Sequence, residues 1–176
     1  MPGSSKEGKS KIVEWVGQIV PTHYKILDIG VGRGAYSWYM RDLENLQNCE
    51  WTGVEIWEPY VEAYDLHSRY DTVLVKDARR VDFGFNKYDI AFCGDVLEHM
   101  TKQQAQDLVS KLQKCCNLVI ISIPIIYYEQ GPRKDNPYEI HIKPDGSHEE
   151  VMESFDNIID SQTYDVVGIY KIQGLV

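Results

Sequence analysis

The residues able to do chemistry fall in four short segments, each directly after an apolar run. The first is Asp28-Ile29-Gly30-Val31-Gly32-Arg33-Gly34. Glycines at such a turn allow positive φ and let a ligand approach the backbone, while the helix that follows presents free amides. The spacing is GxGxG, whereas dinucleotide sites carry GxGxxG, and a tight strand–helix turn with no ligand is the plain alternative. Asp28 would repel a pyrophosphate but suits a ligand bearing an amino group or another cation. The second segment holds Glu55-Ile56-Trp57. Glu55 lies about twenty residues past the last glycine, the spacing at which an acid accepts hydrogen bonds from a ribose in dinucleotide sites. Ile56 and Trp57 could cover one face of a purine, although Trp57 serves as well as a surface or core aromatic. The third is Asp77-Ala78, where the acid suits an adenine amino group and the next amide a ring nitrogen. The fourth is Gly94-Asp95-Val96-Leu97-Glu98-His99.

Such groups act together only if the fold brings them to one edge. Residues 11–20 space Ile12, Val13, Val16, Ile19 and Val20 as a helix, which Pro21 stops. Strands are predicted over 24–30, 49–56, 72–77 and 87–94, with helices over 35–46 and 58–67. An amphipathic helix over 103–115 leads into the most apolar strand, 117–123. Pro, Gly, Asn and Asp in 124–146 mark a long loop, followed by a helix over 148–159 and a last strand over 164–172. This alternation predicts an α/β fold, a doubly wound, mostly parallel sheet with helices on both faces. Ligands of such sheets bind outside the carboxyl ends of the strands, where all four segments fall. There is no repeat and no linker, so residues 1–176 are expected to form a single domain.

In this order and spacing, DIGVGRG, GVEIWEP, KDA and FCGDVLEHM, followed by an amphipathic helix and NLVIISIP, resemble the motifs of class I S-adenosylmethionine-dependent methyltransferases over residues 12–124. The resemblance implies a Rossmann-like fold, S-adenosyl-L-methionine as cofactor and S-adenosyl-L-homocysteine as product. It also implies roles. Asp28, Gly30 and Gly32 would shape the pocket for the methionine moiety, and Gly34 would let the next helix pack closely. Glu55 would hold the ribose hydroxyls, Ile56 would pack on adenine, and Asp77 with Ala78 would read its edge. Asp95 would line the methionine or sulfonium end, where carboxylates suit the cationic groups. The reaction is then an in-line displacement at the sulfonium methyl, for which the protein supplies position and a base. His99 is the base candidate because imidazole titrates near neutral pH, although a His here could equally pack and bond locally.

Residues 124–146 leave the fifth strand beside the methyl-donor pocket, and loops this long are often functional. Tyr127, Tyr128 and His141 are the candidate acceptor-binding residues, with Arg133 and Tyr138 nearby, and the segment is expected to act as a mobile lid. Asn136-Pro137-Tyr138 resembles part of the motif with which amino-methyltransferases grip an exocyclic amine. That motif belongs after the fourth strand, so a loop turn is the better reading. Asp95, Glu98, His99 and His141 carry donors that metals accept. One methyltransferase subgroup that methylates RNA ends carries a similar set, but with Glu where this chain has Asp95 and with signatures not evident here. No Cys-x-x-Cys or Cys–His spacing suggests zinc either, and no metal is expected.

Eighteen Lys and Arg face 27 Asp and Glu, a formal net charge of −9. Such a surface repels phosphate over most of its area, which favours a small-molecule acceptor over nucleic acid. The pairs Arg79–Arg80 and Arg133–Lys134 read as solvated surface. No apolar run reaches the roughly 18 residues of a membrane span, and the polar start MPGSSKEGKSK is no secretion signal. Cys49, Cys93, Cys115 and Cys116 read as buried small hydrophobes of a reducing compartment, so a cytoplasmic location is expected. Residues 164–176 leave room for one strand. The C-terminal strand pair of the resembled family is therefore expected to be reduced, or completed by a partner in a dimer. Two other readings stay open: a nicotinamide-dependent oxidoreductase, against which GxGxG and Asp28 weigh, and a methyltransferase-like cofactor-binding protein without turnover.

Overall fold

The computed structural model describes residues 6–85, 87–133 and 136–176. The first five residues of the polar start, and Lys134 of the second basic pair, lie outside them. Among the described residues, seven strands form one sheet: β1 (Lys25–Ile29), β2 (Glu50–Glu55), β3 (Thr72–Val75), β4 (Tyr88–Gly94), β5 (Cys116–Pro124), β6 (Ile158–Thr163) and β7 (Val167–Gln173). Their order is β3-β2-β1-β4-β5-β7-β6. The first five are parallel, and β7 runs antiparallel to both β5 and β6. The helices are α1 (Lys9–Gly17), α2 (Ala35–Met40), α3 (Glu58–Ala63), α4 (Lys102–Gln113) and α5 (His148–Ser154).

Alternate residues of the central strands enter opposite cores, as a sheet covered on both faces requires. Leu27, Ile29, Ala91, Cys93, Val119 and Ile121 pack on the α4 side. Ile26, Ile90, Phe92, Leu118 and Ile120 pack with Ile12, Val16, Trp51 and Tyr36 on the other. The helix α4 starts with a capping box: Thr101 Oγ1 accepts from the Gln104 amide and Gln104 returns the contact to the Thr101 amide. Its apolar stripe is Ala105, Leu108, Val109 and Leu112, all buried. All four cysteines are buried and free. No helix is long and apolar enough to cross a membrane among the described residues.

The C-terminal part differs from the sequence expectation. The helix over 148–159 ends at Ser154, and Ile158–Thr163 form the edge strand β6. Asn157 turns the chain between them at φ 62°. Val151, Phe155, Ile158 and Ile159 fall at helical spacing, which hides this break. The antiparallel pair is therefore present within this chain, short at six and seven residues.

The order of the sheet reverses between β1 and β4, the neighbours on either side of the crossover. That is the switch point at which a ligand crevice opens. At its floor the Tyr36 ring stacks on Phe92 at 4.7 Å between ring centroids and lies against the end of β4. A Cβ at Gly94 would run into this ring, which is why β4 ends in glycine.

Candidate active site

The four sequence segments meet around one cavity of about 1020 Å³ at the carboxyl ends of β1 to β4. Gly30, Gly32 and Gly34 have φ of 67°, 49° and 73°, the left-handed values that glycine tolerates. At Gly30 a Cβ would also strike the Val96 side chain. Glu55, at the end of β2, is 4% exposed. Its two oxygens accept from the Gly32 amide at 2.9 Å and the Trp57 amide at 2.8 Å, so it ties the glycine turn to β2. It is thus an internal anchor as well as a residue of the cavity wall. Burial raises its pKa, and the two amides oppose the rise. Each oxygen keeps a free lone pair for a further donor.

Asp28 and Gly34 stand buried behind the wall, whereas Gly30, Gly32, Glu55, Ile56, Asp77, Ala78 and Asp95 line it. Asp77 caps the single 3-10 turn Ala78–Arg80, accepting from the Arg79 amide at 3.0 Å and from its guanidinium at 2.8 Å. The Arg79 contact holds its pKa below the usual range.

The polar floor is acidic and contains one buried cation among the described residues. Asp28 is 1% exposed and accepts a 2.6 Å hydrogen bond from the Tyr70 hydroxyl. Burial raises its pKa from 3.8 to about 7, against the opposing pull of Tyr70 and the Lys9 ammonium. Lys9 comes from α1; its ammonium donates to the Tyr36 hydroxyl at 3.0 Å and lies 4.0 Å from Asp95 Oδ2. Burial lowers its pKa, and Asp95, Asp28 and Glu98 oppose the shift. Asp95 takes φ 52°, accepts from the Ser122 hydroxyl at 3.2 Å through Oδ1, and leaves Oδ2 buried with no hydrogen-bond partner among the described residues. A cationic ligand group would relieve such an orphaned oxygen. The residues therefore fit a cofactor with an ammonium and a sulfonium at this end.

The described residues of the segment 124–146 form the other wall. Their two ends are joined by a Tyr127–Asp145 bridge and by the Tyr128 amide to the Pro144 carbonyl at 2.8 Å. The amides of Ile142 and Lys143 donate to the Glu98 carbonyl at 3.0 and 3.1 Å. Backbone hydrogen bonds thus tie this loop to itself and to Glu98. Tyr128 and His141 line the cavity with His99; Tyr127, 67% exposed, points away from it. Asn136 is 2% exposed and caps the turn Pro137–Glu139 by accepting from the Tyr138 amide at 2.9 Å. Glu139 accepts from Tyr60 at 3.0 Å.

Near the cavity mouth Glu98, His99 and His141 come together; their ligand atoms lie within 4.8 Å of one another. Glu98 is 4% exposed, and burial raises its pKa well above the carboxylate range. Burial lowers the pKa of His141. Lys9, Tyr36, Tyr70 and Glu139 were not legible as site residues. Lys9 sits in a polar segment without a motif, and the tyrosines are three of 12 scattered along the chain if Tyr60 is counted with them.

A glycine turn, a buried acid after β2 and an acid-lined floor at the switch point of this sheet define the architecture of class I methyltransferases. A family described as methyltransferase domain matches residues 26–117, more than half of the chain. The chain belongs to this family and is an S-adenosylmethionine-dependent methyltransferase. Among solved structures it is similar to 1,6-didemethyltoxoflavin-N1-methyltransferase of Burkholderia thailandensis, with bound 1,6-didemethyltoxoflavin and S-adenosylhomocysteine. That match has TM-score 0.69 and 16% identity, covering 96% of this chain and 77% of that one. The N-terminal domain of EvdMO1 with S-adenosylhomocysteine bound gives TM-score 0.66 and 12% identity, covering 97% and 82%. The PH0226 protein of Pyrococcus horikoshii gives 0.67 and 16%, covering 97% and 92%. No curated protein matches the chain.

Proposed function

We propose that the chain transfers the methyl group to a small-molecule acceptor that binds between His99 and the docked loop. The observation that carries this reading is the continuity of the cavity: one space runs from Gly32, Glu55 and Asp77 to His99, Tyr128 and His141. The cofactor, when bound, supplies an activated sulfonium methyl. The residues of this chain bind and orient. Asp28, Gly30 and Gly32 shape the pocket for the methionine moiety, and Gly34 lets the next helix pack closely. Asp95 faces the cationic end of the cofactor, and Glu55 takes the ribose hydroxyls. Ile56 covers adenine, and Asp77 and Ala78 read its edge. Tyr128 and His141 wall the acceptor side. His99 Nδ1 faces the Ile140 carbonyl at 3.1 Å. A carbonyl only accepts, so Nδ1 carries the hydrogen and Nε2 keeps a lone pair able to take a proton from an acceptor.

The net charge of −9 and the relatives named as acting on small molecules support a small acceptor. Radiolabel transfer from S-adenosylmethionine to the dialysable fraction of a cell extract tests it. Label in the small-molecule fraction supports the reading; label confined to nucleic acid or protein overturns it.

A further inference from the structure

We propose that Glu98, His99 and His141 form a binding site for a divalent first-row transition metal on the acceptor side of the cavity. Three observations carry it. First, both imidazoles are oriented through Nδ1 by backbone carbonyls: His141 by Tyr128 at 2.7 Å and His99 by Ile140 at 3.1 Å. That leaves both Nε2 lone pairs free, and a backbone carbonyl behind the ring is how proteins fix a metal-ligating histidine. Second, Glu98 is 96% buried and its Oε2 has no hydrogen-bond partner among the described residues. Buried polar groups are rarely left so, and a cation is one of the few partners that satisfies a carboxylate there. Third, the groups gather without bonding one another. His141 Nε2 lies 4.0 Å from Glu98 Oε1, beyond hydrogen-bond reach, and the two rings stand 5.0 Å apart edge to face. With the ring centroids in edge-to-face contact and no hydrogen bond from either Nε2 to the Glu98 carboxylate, the three groups converge at a spacing that one shared cation would bridge.

The site is built from two chain segments that are fastened together. Glu98 and His99 follow β4, and His141 arrives on the loop. The Glu98 carbonyl accepts from the Ile142 and Lys143 amides, directly beyond His141. The three ligand atoms lie within 4.8 Å. Donors bound to one such ion at about 2.1 Å stand roughly 3–4 Å apart, so small rotamer changes complete the site. Two imidazoles and one carboxylate suit Fe, Co, Ni or Zn, whereas Mg and Ca prefer sets made of oxygen alone. Asp95 stays outside the set, held by Ser122.

Three protein donors leave coordination positions open on the cavity side, as metal centres that take a substrate do. An acceptor would ligate through a hydroxyl or carboxylate oxygen, and a bound hydroxyl ionises more readily. This acceptor role rests on the function proposed above, and it turns His99 from proton acceptor into ligand; metal binding itself does not rest on it.

The test is a titration of the full-length, chelator-treated protein with Co(II), followed by its visible absorption, with Zn(II) as competitor. One equivalent should bind, displaced by Zn(II) but not by Mg(II). Glu98→Gln, His99→Gln and His141→Gln should each weaken binding at least about tenfold, while circular-dichroism melts confirm that they fold. A wild-type protein that takes up no Co(II), or variants that fold and bind it as tightly as wild type, would overturn the site. Methyl transfer is not part of this readout. Metal binding with methyl transfer only to macromolecules would refute the proposed acceptor class and leave the metal site standing.

Discussion

Asp28→Asn should stabilise the free protein above neutral pH, and the size of the effect follows from burial. In the unfolded chain Asp28 ionises at its ordinary value of 3.8; in the fold it does so at about 7. Below 3.8 both states hold the proton. Between these values the unfolded chain releases it and the fold retains it, so stability falls as pH rises. Above about 7 both are ionised and the cost is fully present. At about 1.36 kcal/mol for each pKa unit, the ceiling is about 4 kcal/mol. Structural relaxation lowers this, and at least about 1 kcal/mol should remain. Asparagine can still accept from Tyr70 but has no charge to desolvate. Glu98 and Lys9 also titrate abnormally, yet both are common to wild type and variant, so the difference isolates Asp28 to first order. Urea unfolding from about pH 4 to about pH 8 measures it. The variant's advantage should grow with pH up to about 7 and then level off. Parallel stability curves for the two proteins would refute the reasoning.

Cofactor binding should respond to the same floor. Lys9→Met removes the cation that favours ionised Asp28, so the pH midpoint for S-adenosylhomocysteine affinity, measured by calorimetry, should move upward; an unchanged midpoint would mean that the Lys9 charge is not felt at Asp28. Glu55→Ala should lower that affinity by about 10- to 100-fold and also lower the melting temperature, because the Gly32 and Trp57 amides lose a charged acceptor worth about 1.5–3 kcal/mol. Unchanged affinity would place the ribose elsewhere. Gly94→Ala should cost about 1–3 kcal/mol in denaturant unfolding, because the added methyl displaces Tyr36 from Phe92; a neutral result would show that the ring shifts freely.

Much of this arrangement could be read directly because the chemistry sits at the ends of strongly apolar strands. Leu27, Ile29, Ala91 and Cys93 are buried on one face and Ile26, Ile90 and Phe92 on the other, a pattern that marks a parallel sheet and so locates its carboxyl edge. The strand β6 escaped because it is an edge. It buries few side chains, and Phe155, Ile158 and Ile159 continue the helical spacing of α5 across a turn that only Asn157 marks. The burial of Glu55 was not legible, since its amide partners, Gly32 and Trp57, come from the turns after β1 and β2 and not from its own strand. Lys9 could not be found, because a lysine in a polar segment looks the same whether it meets water or folds back on Tyr36.

The loop 124–146 gives the last prediction. A lid that closes on the cofactor leaves its amides free before the cofactor arrives. Here they are not free. Tyr128 donates to Pro144, His141 to Gln130, and Ile142 and Lys143 to Glu98, at 2.8 to 3.1 Å. The Gln130 side chain adds a bond to the Glu139 carbonyl at 2.6 Å, and Tyr60 holds the Glu139 carboxylate. Bonds of this kind protect amides only while the segment stays docked, so native-state hydrogen exchange reads docking directly. The four amides should exchange slowly in the free protein, and S-adenosylhomocysteine should change them little. An acceptor must then enter from the exposed side of His99 and Tyr128. Fast exchange at these amides in the free protein, slowed by the ligand, would restore the lid and refute a preformed acceptor wall.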